Sequence, residues 1–341
     1  MAAQTVLAVD AMGGDNAPGC VIEGVKMYLE AHAQSCVRLF GPAQTLEPLL
    51  GSFGALRPRV SVCDAPEVIG MEDEPMLAVR RKQNSSLVLG LKDVKAGASH
   101  AFVSAGSTGA LFLGGMVVLR LLEGVSRPAL APVLPGLNGS FLLIDSGANA
   151  DCQPGYLNQF GLMGSVYMNR VEGVKKPKVG LINIGVESEK GNKLYKEAHA
   201  LMSAQKQYAF AGNLEARDIP NGDVQVAVCD GFTGNVVLKY TEGFAKFMLK
   251  TIKGEMMSSL RGKIGGLLLK GSFANIKKRL SSDEYGGAPL LGVDGAVVKA
   301  HGSSGGYAFF KALEQAERMV TSGMTDTLRQ GLREINNNTE V

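Results

Sequence analysis

The chain has 341 residues, 45% of them hydrophobic, with 44 glycines and a formal charge of +3. That length and apolar content suit a large α/β domain rich in tight turns, and no nucleic-acid partner is expected. Five cysteines at scattered positions (Cys20, Cys36, Cys63, Cys152, Cys229) form neither a zinc spacing nor a disulfide framework, so no metal is expected and a reducing cytoplasm is.

In chain order, MAAQTVLAVD lacks a basic segment followed by an apolar core and enters a strand at once, so no signal peptide is expected. The strand Thr5–Val9 ends in Asp10-Ala11-Met12-Gly13-Gly14-Asp15-Asn16, and Pro18 then opens a helix. Strands at 37–40 and 59–62 flank a helix near 44–50, and a helix over 85–95 leads to a strand at 101–103. Strands at 140–144, 178–182, 208–211 and 224–228 follow, with a helix over 154–170. Repeated β-loop-α units predict a mostly parallel sheet with helices on both faces, a three-layer α/β/α arrangement.

In such a sheet the loops after successive strands gather at the carboxyl edge, where ligands bind. Here those loops read DAMGGDN (10–16), SAGSTG (104–109), DSGANAD (145–151), NIGVESEKGN (183–192), CDGFTGN (229–235) and AHGSSGG (300–306). The stretch FVSAGSTGALFLGGM (102–116) runs from an apolar strand through small residues into an apolar helix. Taken alone it suits either a phosphate cradle or a tight turn that needs glycine for packing, and it lacks the Lys-Ser or Lys-Thr pair of a Walker A loop. The whole set of Gly-, Ser-, Asn- and Asp-rich loops favours an anion-binding active site.

From Gly234 the pattern changes. Ile252, Met256, Leu260, Ile264 and Leu268 recur every four residues, interspersed with glycines, which predicts a projecting helix–loop–helix over 236–280. Between Lys246 and Arg279 nine Lys or Arg stand against one acid, Glu255, a block that asks for an acidic partner or an anionic surface. The longest apolar run, Gly109–Leu119, ends at Arg120 and is too short to span a bilayer. A last amphipathic helix is expected over 306–321, and the tail from Asn336 to Val341 is expected to be disordered after a single catalytic domain over 1–335.

The motifs VDAMGGDNAP (9–18), VRRKQNSSL (79–87), VSAGSTGAL (103–111), RPALA (127–131) and LNQFGLMGSVY (157–167) together resemble the bacterial phosphate acyltransferase family. So do GLINIGVESEKGN (180–192), GNLEARDIP (212–220), VCDGFTGNVVLK (228–239) and EYGGAPLLGVDG (284–295). These are the acyl–acyl carrier protein:phosphate transacylases of phospholipid synthesis. The resemblance runs from about Val6 to Tyr307, with Ser107 where the family pattern has Asn and Ser146 where it has Val. It implies a fold similar to isocitrate dehydrogenases and phosphotransacetylases, a homodimer, no cofactor, and acyl transfer from acyl carrier protein to inorganic phosphate. The acyl phosphate would feed a glycerol-3-phosphate acyltransferase, from a cytoplasmic enzyme associated peripherally with the membrane.

Within that reading, Ser104, Gly106, Ser107, Thr108, Gly13 and Gly14 are expected to bind phosphate, with Arg81 and Lys82 neutralising it. Lys82, Asn183, Asn235 and His301 are the candidate catalytic groups; Asn149 is a further donor, and Asp10, Asp15 and Asp230 orient donors or cap helices. Met256, Leu260, Arg261, Lys263, Ile264, Leu268 and Lys270 are expected to meet the carrier protein, a membrane, or both. Direct attack by phosphate is favoured over a covalent intermediate on Cys152 or Cys229. The rival readings are a nicotinamide-dependent hydroxy-acid dehydrogenase of the same fold, which lacks support from any GxGxxG after the first strand, and a non-enzymatic carrier- or lipid-binding regulator.

Overall fold

The structure, a computed structural model, describes residues 4–337. It opens with β1 (Val6–Asp10), α1 (Gly19–Ala31), β2 (Cys36–Gly41), α2 (Ala43–Leu46), β3 (Val60–Asp64), α3 (Pro75–Arg81), α4 (Ser86–Lys95), β4 (Ala101–Ser104) and α5 (Thr108–Gly114). Next come β5 (Ala129–Leu130), β6 (Val133–Gly136), β7 (Gly139–Ile144), α6 (Pro154–Arg170), β8 (Lys178–Asn183), α7 (Lys193–Ser203), β9 (Ala209–Glu215) and β10 (Val226–Val228). Three consecutive helices, α8 (Gly231–Met257), α9 (Leu260–Leu268) and α10 (Lys270–Leu280), precede β11 (Gly287–Leu291), β12 (Ala296–Ala300), α11 (Gly306–Thr321) and α12 (Met324–Asn337).

The parallel arrangement is divided between two sheets. One has seven strands in the order β3-β2-β1-β4-β12-β11-β5, the other five in the order β6-β7-β10-β8-β9. Strands β3, β2, β1, β4 and β12 run parallel, as do β7, β10, β8 and β9, while β11 and β6 are antiparallel to their neighbours. The sheets meet where β5 passes into β6: the Ala131 N–H donates to Pro289 O and the Leu143 N–H to Pro132 O. The carboxyl ends of β1, β4 and β12 therefore stand opposite those of β7 and β10 across this seam.

Side-chain alternation explains the layers. On β1, β4 and β12, Leu7, Val9, Val103 and Val298 enter a core shared with α1, α11, α6 and the second sheet, which contributes Leu142, Ile144 and Val228. The intervening residues Ala8, Phe102 and Val297 face α3, α4 and α5. Strands buried on both faces must read as apolar runs, as VLAVD and AFVS do. Glycine lets α4 lie close to the sheet: a Cβ at Gly90 would stand 2.2 Å from Phe102.

Sequence periodicity located α6 and α11 at their observed ends. It did not anticipate α12, and the helix expected at 44–50 is a short α2 followed by a 3-10 stretch bent at Gly54. Asn336 and Asn337 close α12, so the expected tail begins inside a helix; residues 338–341 lie outside the described residues. No helix among the described residues is long and apolar enough to cross a membrane.

Candidate active site

Three of the polar loops are laced together before any ligand is considered. The Asp15 N–H donates to Gly302 O at 2.8 Å, and Asn16 Nδ2 donates to the carbonyls of Ser303 and Ser304, each at 3.2 Å. Gly13 packs directly on Gly106: a Cβ there would lie 2.5 Å from Asp10 Oδ2 and 2.6 Å from Gly106 N. Gly14 takes φ +100° against Ala105 and the Gly302 carbonyl, where L side chains are strained. Gly13 and Gly14, read as phosphate ligands, thus join the loop after β1 to the loops after β4 and β12.

Much of the expected cradle is likewise engaged internally. Ser104 Oγ donates to Asp10 Oδ2 at 2.7 Å and accepts from the Gly106 N–H at 3.0 Å; Ser104 is fully buried. Ser107 Oγ caps α5 by accepting from the Ala110 N–H at 3.4 Å. Burial raises the Asp10 carboxyl pKa, while hydrogen bonds from Ser86, Ser104 and the backbone of Met12 and Gly13 oppose that shift. Thr108, the next residue, is exposed on the cleft wall.

That cleft encloses about 480 Å³ at the seam between the sheets. Every polar loop except 183–192 reaches it: Asp15, Thr108, Ser146 and Gly147, Asn235, and His301 to Ser304. Its far wall is apolar, built from Leu130, Pro132, Val133, Leu134 and Leu238. A polar pole and an apolar wall sharing one cavity suit a substrate with a charged end and a hydrocarbon end.

His301 is held in a defined protonation pattern. Its Nδ1 accepts the Ser303 N–H at 3.3 Å and lies 2.9 Å from Ser303 Oγ. A ring nitrogen that accepts a backbone N–H carries no proton, so the proton of the neutral ring sits on Nε2. Desolvation, reinforced by the charge of Lys239, lowers the His301 pKa and favours this neutral form. Asn235, in the first turns of α8, packs against Gly147, where a Cβ would lie 3.5 Å from its own, and both line the cleft.

Other expected site residues stand elsewhere. Lys82 Nζ donates to Asp73 Oδ2 at 2.5 Å and to Val68 O at 2.8 Å, which braces the 65–74 segment whose Met71 lines the cleft. Arg81 is exposed on α3 and is not part of the lining. Asn183 closes its own loop through the Lys190 carbonyl at 3.2 Å. Asn149 donates to Pro128 O and Asp145, and Asp230 caps α8 while accepting from Tyr195 at 2.5 Å. Burial pushes the Cys152 thiol up to about 12 and that of Cys229 well above its ordinary value, which starves both of the thiolate a nucleophile needs.

Sequence reasoning missed Lys239, Glu242, Tyr285 and Lys299, all of which line the cleft. Lys239 pairs with Glu242 at 3.2 Å one helical turn away. Lys299 is the anomaly a reader of the sequence could have noticed: a lysine inside the buried strand AVVKA, two residues before His301. It is only 8% exposed.

The three helices α8 to α10 form an arm, with Gly231 and Gly234 the only buried positions on them among the described residues. At its root a Cβ on Gly234 would meet the Asp145 carbonyl oxygen at 1.9 Å. Tight joints replace the expected loop: Ser259 caps α9, and Leu269 passes α9 directly into α10. Met256 is half-buried against Gly266, whereas Leu260, Ile264, Leu267 and Leu268 are exposed. Arg279 Nη2 returns the arm to the body by donating to Gly136 O at 3.2 Å. Both roots are cleft walls, through Asn235, Leu238, Lys239 and Glu242 on the way out and Asp283 and Tyr285 on the way back.

The sequence profile described as fatty acid synthesis protein matches residues 5–327. A phosphate acyltransferase of Clostridium novyi (strain NT) is 45% identical over 328 residues, covering 96% of this chain and 98% of that protein. One of Clostridium tetani (strain Massachusetts / E88) is 46% identical over 326 residues, with 96% and 97% covered. Among solved structures, a phosphotransacetylase from Streptococcus pyogenes superposes with a TM-score of 0.62 at 14% identity, over 93% of this chain and 94% of that one, a likeness of fold. The chain belongs to the fatty acid synthesis protein family, alongside these phosphate acyltransferases.

Proposed function

We propose that this protein is a phosphate acyltransferase that moves a fatty acyl group from the thioester of acyl carrier protein to inorganic phosphate. The observation that carries the reading is the cleft itself, with hydroxyl, imidazole, amide and ammonium groups at one pole and an aliphatic wall at the other. The name shared by relatives spanning nearly the whole chain agrees with it and disfavours the dehydrogenase and regulator readings.

Monohydrogen phosphate is already a nucleophile, so the site needs no strong base. One phosphate oxygen forms the new bond to the thioester carbon; the C–S bond breaks with its electron pair on sulfur, and the phosphate proton ends on the thiol. Thr108 and the neighbouring loop receive phosphate at the polar pole. The neutral His301 Nε2–H and the Asn235 amide supply donors for the carbonyl oxygen as it gains charge, without the electrostatic competition a second cation would give the dianion. The acyl chain lies along Leu130, Val133, Leu134 and Leu238.

The arm delivers the substrate. Its basic face fits the acidic carrier protein, and its exposed Leu260, Ile264, Leu267 and Leu268 fit the apolar boundary of an anionic membrane, with Arg261, Lys263 and Lys270 at the headgroups. We assign the tip to the membrane and carrier docking to the flanks near the cleft. A homodimer, a downstream glycerol-3-phosphate acyltransferase and a cytoplasmic location with peripheral membrane association belong to the same reading.

The decisive assay incubates the protein with acyl carrier thioester, with and without phosphate, and follows free thiol. Thiol release that requires phosphate and yields acyl phosphate is expected; release independent of phosphate, or none, overturns the reading.

A further inference from the structure

Three polar residues lie side by side across the centre of the larger sheet, on a face that is otherwise hydrocarbon. Val9 pairs with Val103 and Ser104 with Lys299, so Asp10, Ser104 and Lys299 stand in one row near the carboxyl ends of three adjacent parallel strands. The preceding residues on that face are Ala8, Phe102 and Val297, all buried in the core beneath α4. Placing a carboxyl and an amine there costs several kcal/mol per ion unless each is compensated. Asp10 is compensated by Ser104 and backbone N–H groups.

Lys299 is compensated only in part. Its Nζ donates to Ala105 O at 3.1 Å and to Ala300 O, both neutral acceptors. An ammonium carries three donors, so one remains, and Lys299 lines the cleft beside Thr108 and His301. Lys82 is already paired with Asp73, and Lys239, the other lysine that lines the cleft, with Glu242. The Ala105 carbonyl that fixes Nζ belongs to the very loop that presents Thr108.

We propose that Lys299 is a catalytic residue whose ammonium binds the attacking phosphate at the floor of the cleft, held in place by the carbonyls of Ala105 and Ala300. This deepens the acyltransferase reading and rests on it. A dianion is the substrate group that a buried, partly compensated cation fits best, because it completes the charge that the carbonyls leave unmet. The thioester oxygen, which gains charge only in the transition state, is left to His301 and Asn235.

The test is steady-state kinetics of Lys299→Met with acyl carrier thioester and phosphate varied separately. The KM for phosphate is expected to rise by about tenfold to a hundredfold, as for loss of a charge-assisted hydrogen bond, with KM for the thioester within about twofold. Lys82→Ala, which breaks an existing ion pair at the cleft's edge, should move the phosphate KM far less. An unchanged phosphate KM in Lys299→Met, or a fall in kcat alone, overturns the assignment while leaving the acyltransferase intact. Absence of phosphate-dependent thiol release in the unsubstituted protein sinks the acyltransferase reading instead.

Should Lys299→Met not fold, the unsubstituted protein still decides the matter. Burial lowers the Lys299 pKa to about 8, against the opposing pull of Asp10 and Asp15 from the β1 loop and with the help of Lys239 from α8. His301, which lines the same pole, is held toward its neutral form. Free phosphate is dianionic above neutrality, so its thermal protection of the protein should fade as pH rises through about 8, where the ammonium loses its proton. Protection by phosphate that holds constant to pH 9.5 would exclude the ammonium as its ligand.

Discussion

The body and the arm of this protein obey opposite rules. In the body, most apolar side chains are inside, loops approach one another through glycine, and most buried polar groups are hydrogen-bonded. In the arm, the large apolar residues are outside: Leu268 is 81% exposed and Leu260 77%, and Tyr240, Phe244 and Phe247 stack mainly on each other. The body is a solved packing problem, while the arm is a surface awaiting one. An amphipathic segment with so large an exposed apolar face gains its stability from whatever covers it. The two regions nonetheless share a wall, because both roots of the arm line the cleft.

The contrast can be broken most severely where the regions join. Gly234→Ala places a methyl group on the Asp145 carbonyl, and neither backbone can yield without disturbing β7 or α8. A loss of about 3 kcal/mol or more is expected, read as a large fall in thermal midpoint and in soluble yield. A variant as stable as the parent would mean the arm is not rigidly rooted.

Inside the body, substitutions at the polar pole should cost rate and spare stability. His301→Ala is expected to reduce kcat by about a hundredfold to a thousandfold, and Asn235→Ala by about tenfold to a hundredfold, with thermal midpoints near the parent's. Single-turnover kinetics would check this; a His301→Ala variant within threefold of the parent removes the imidazole from the chemistry.

The smallest effect on the folded body is expected at the tip. Leu268→Glu should alter stability by no more than about 0.5 kcal/mol and leave turnover of soluble thioester unchanged. Flotation with anionic vesicles should be lost. Undiminished flotation would detach the tip from the membrane, and a changed oligomeric state would assign it to a second copy instead.

Much of the fold was legible because apolar periodicity and glycine-rich loops are local signals. The strands β1 to β4 and β7 to β10, the ends of α6 and α11 and the basic amphipathic arm can all be read from neighbouring residues, whereas the short β5 and β6 at the seam were not expected. Loops 10–16, 104–109, 145–151, 229–235 and 300–306 were also identifiable as one set, since parallel topology brings strand ends together. Loop 183–192, with the same composition, turns on itself through Asn183 and Asn213 instead, and composition could not separate it from the others.

What tertiary structure alone decided was the division of labour among polar residues. Lys82 and Lys299 are both lysines near motif residues, yet one is tied to Asp73 and the other is nearly buried on neutral carbonyls facing the cleft. Ser104, Gly106 and Asn149 have the chemistry of ligands but spend it holding loops together. Sequence by itself determined the family, the layers and the polar edge, because side-chain period and motif spacing are written along the chain. It could not determine which of those polar groups stay free, because that depends on partners distant in sequence: Ser104 on Asp10, Lys299 on Ala105, Asn235 packed on Gly147.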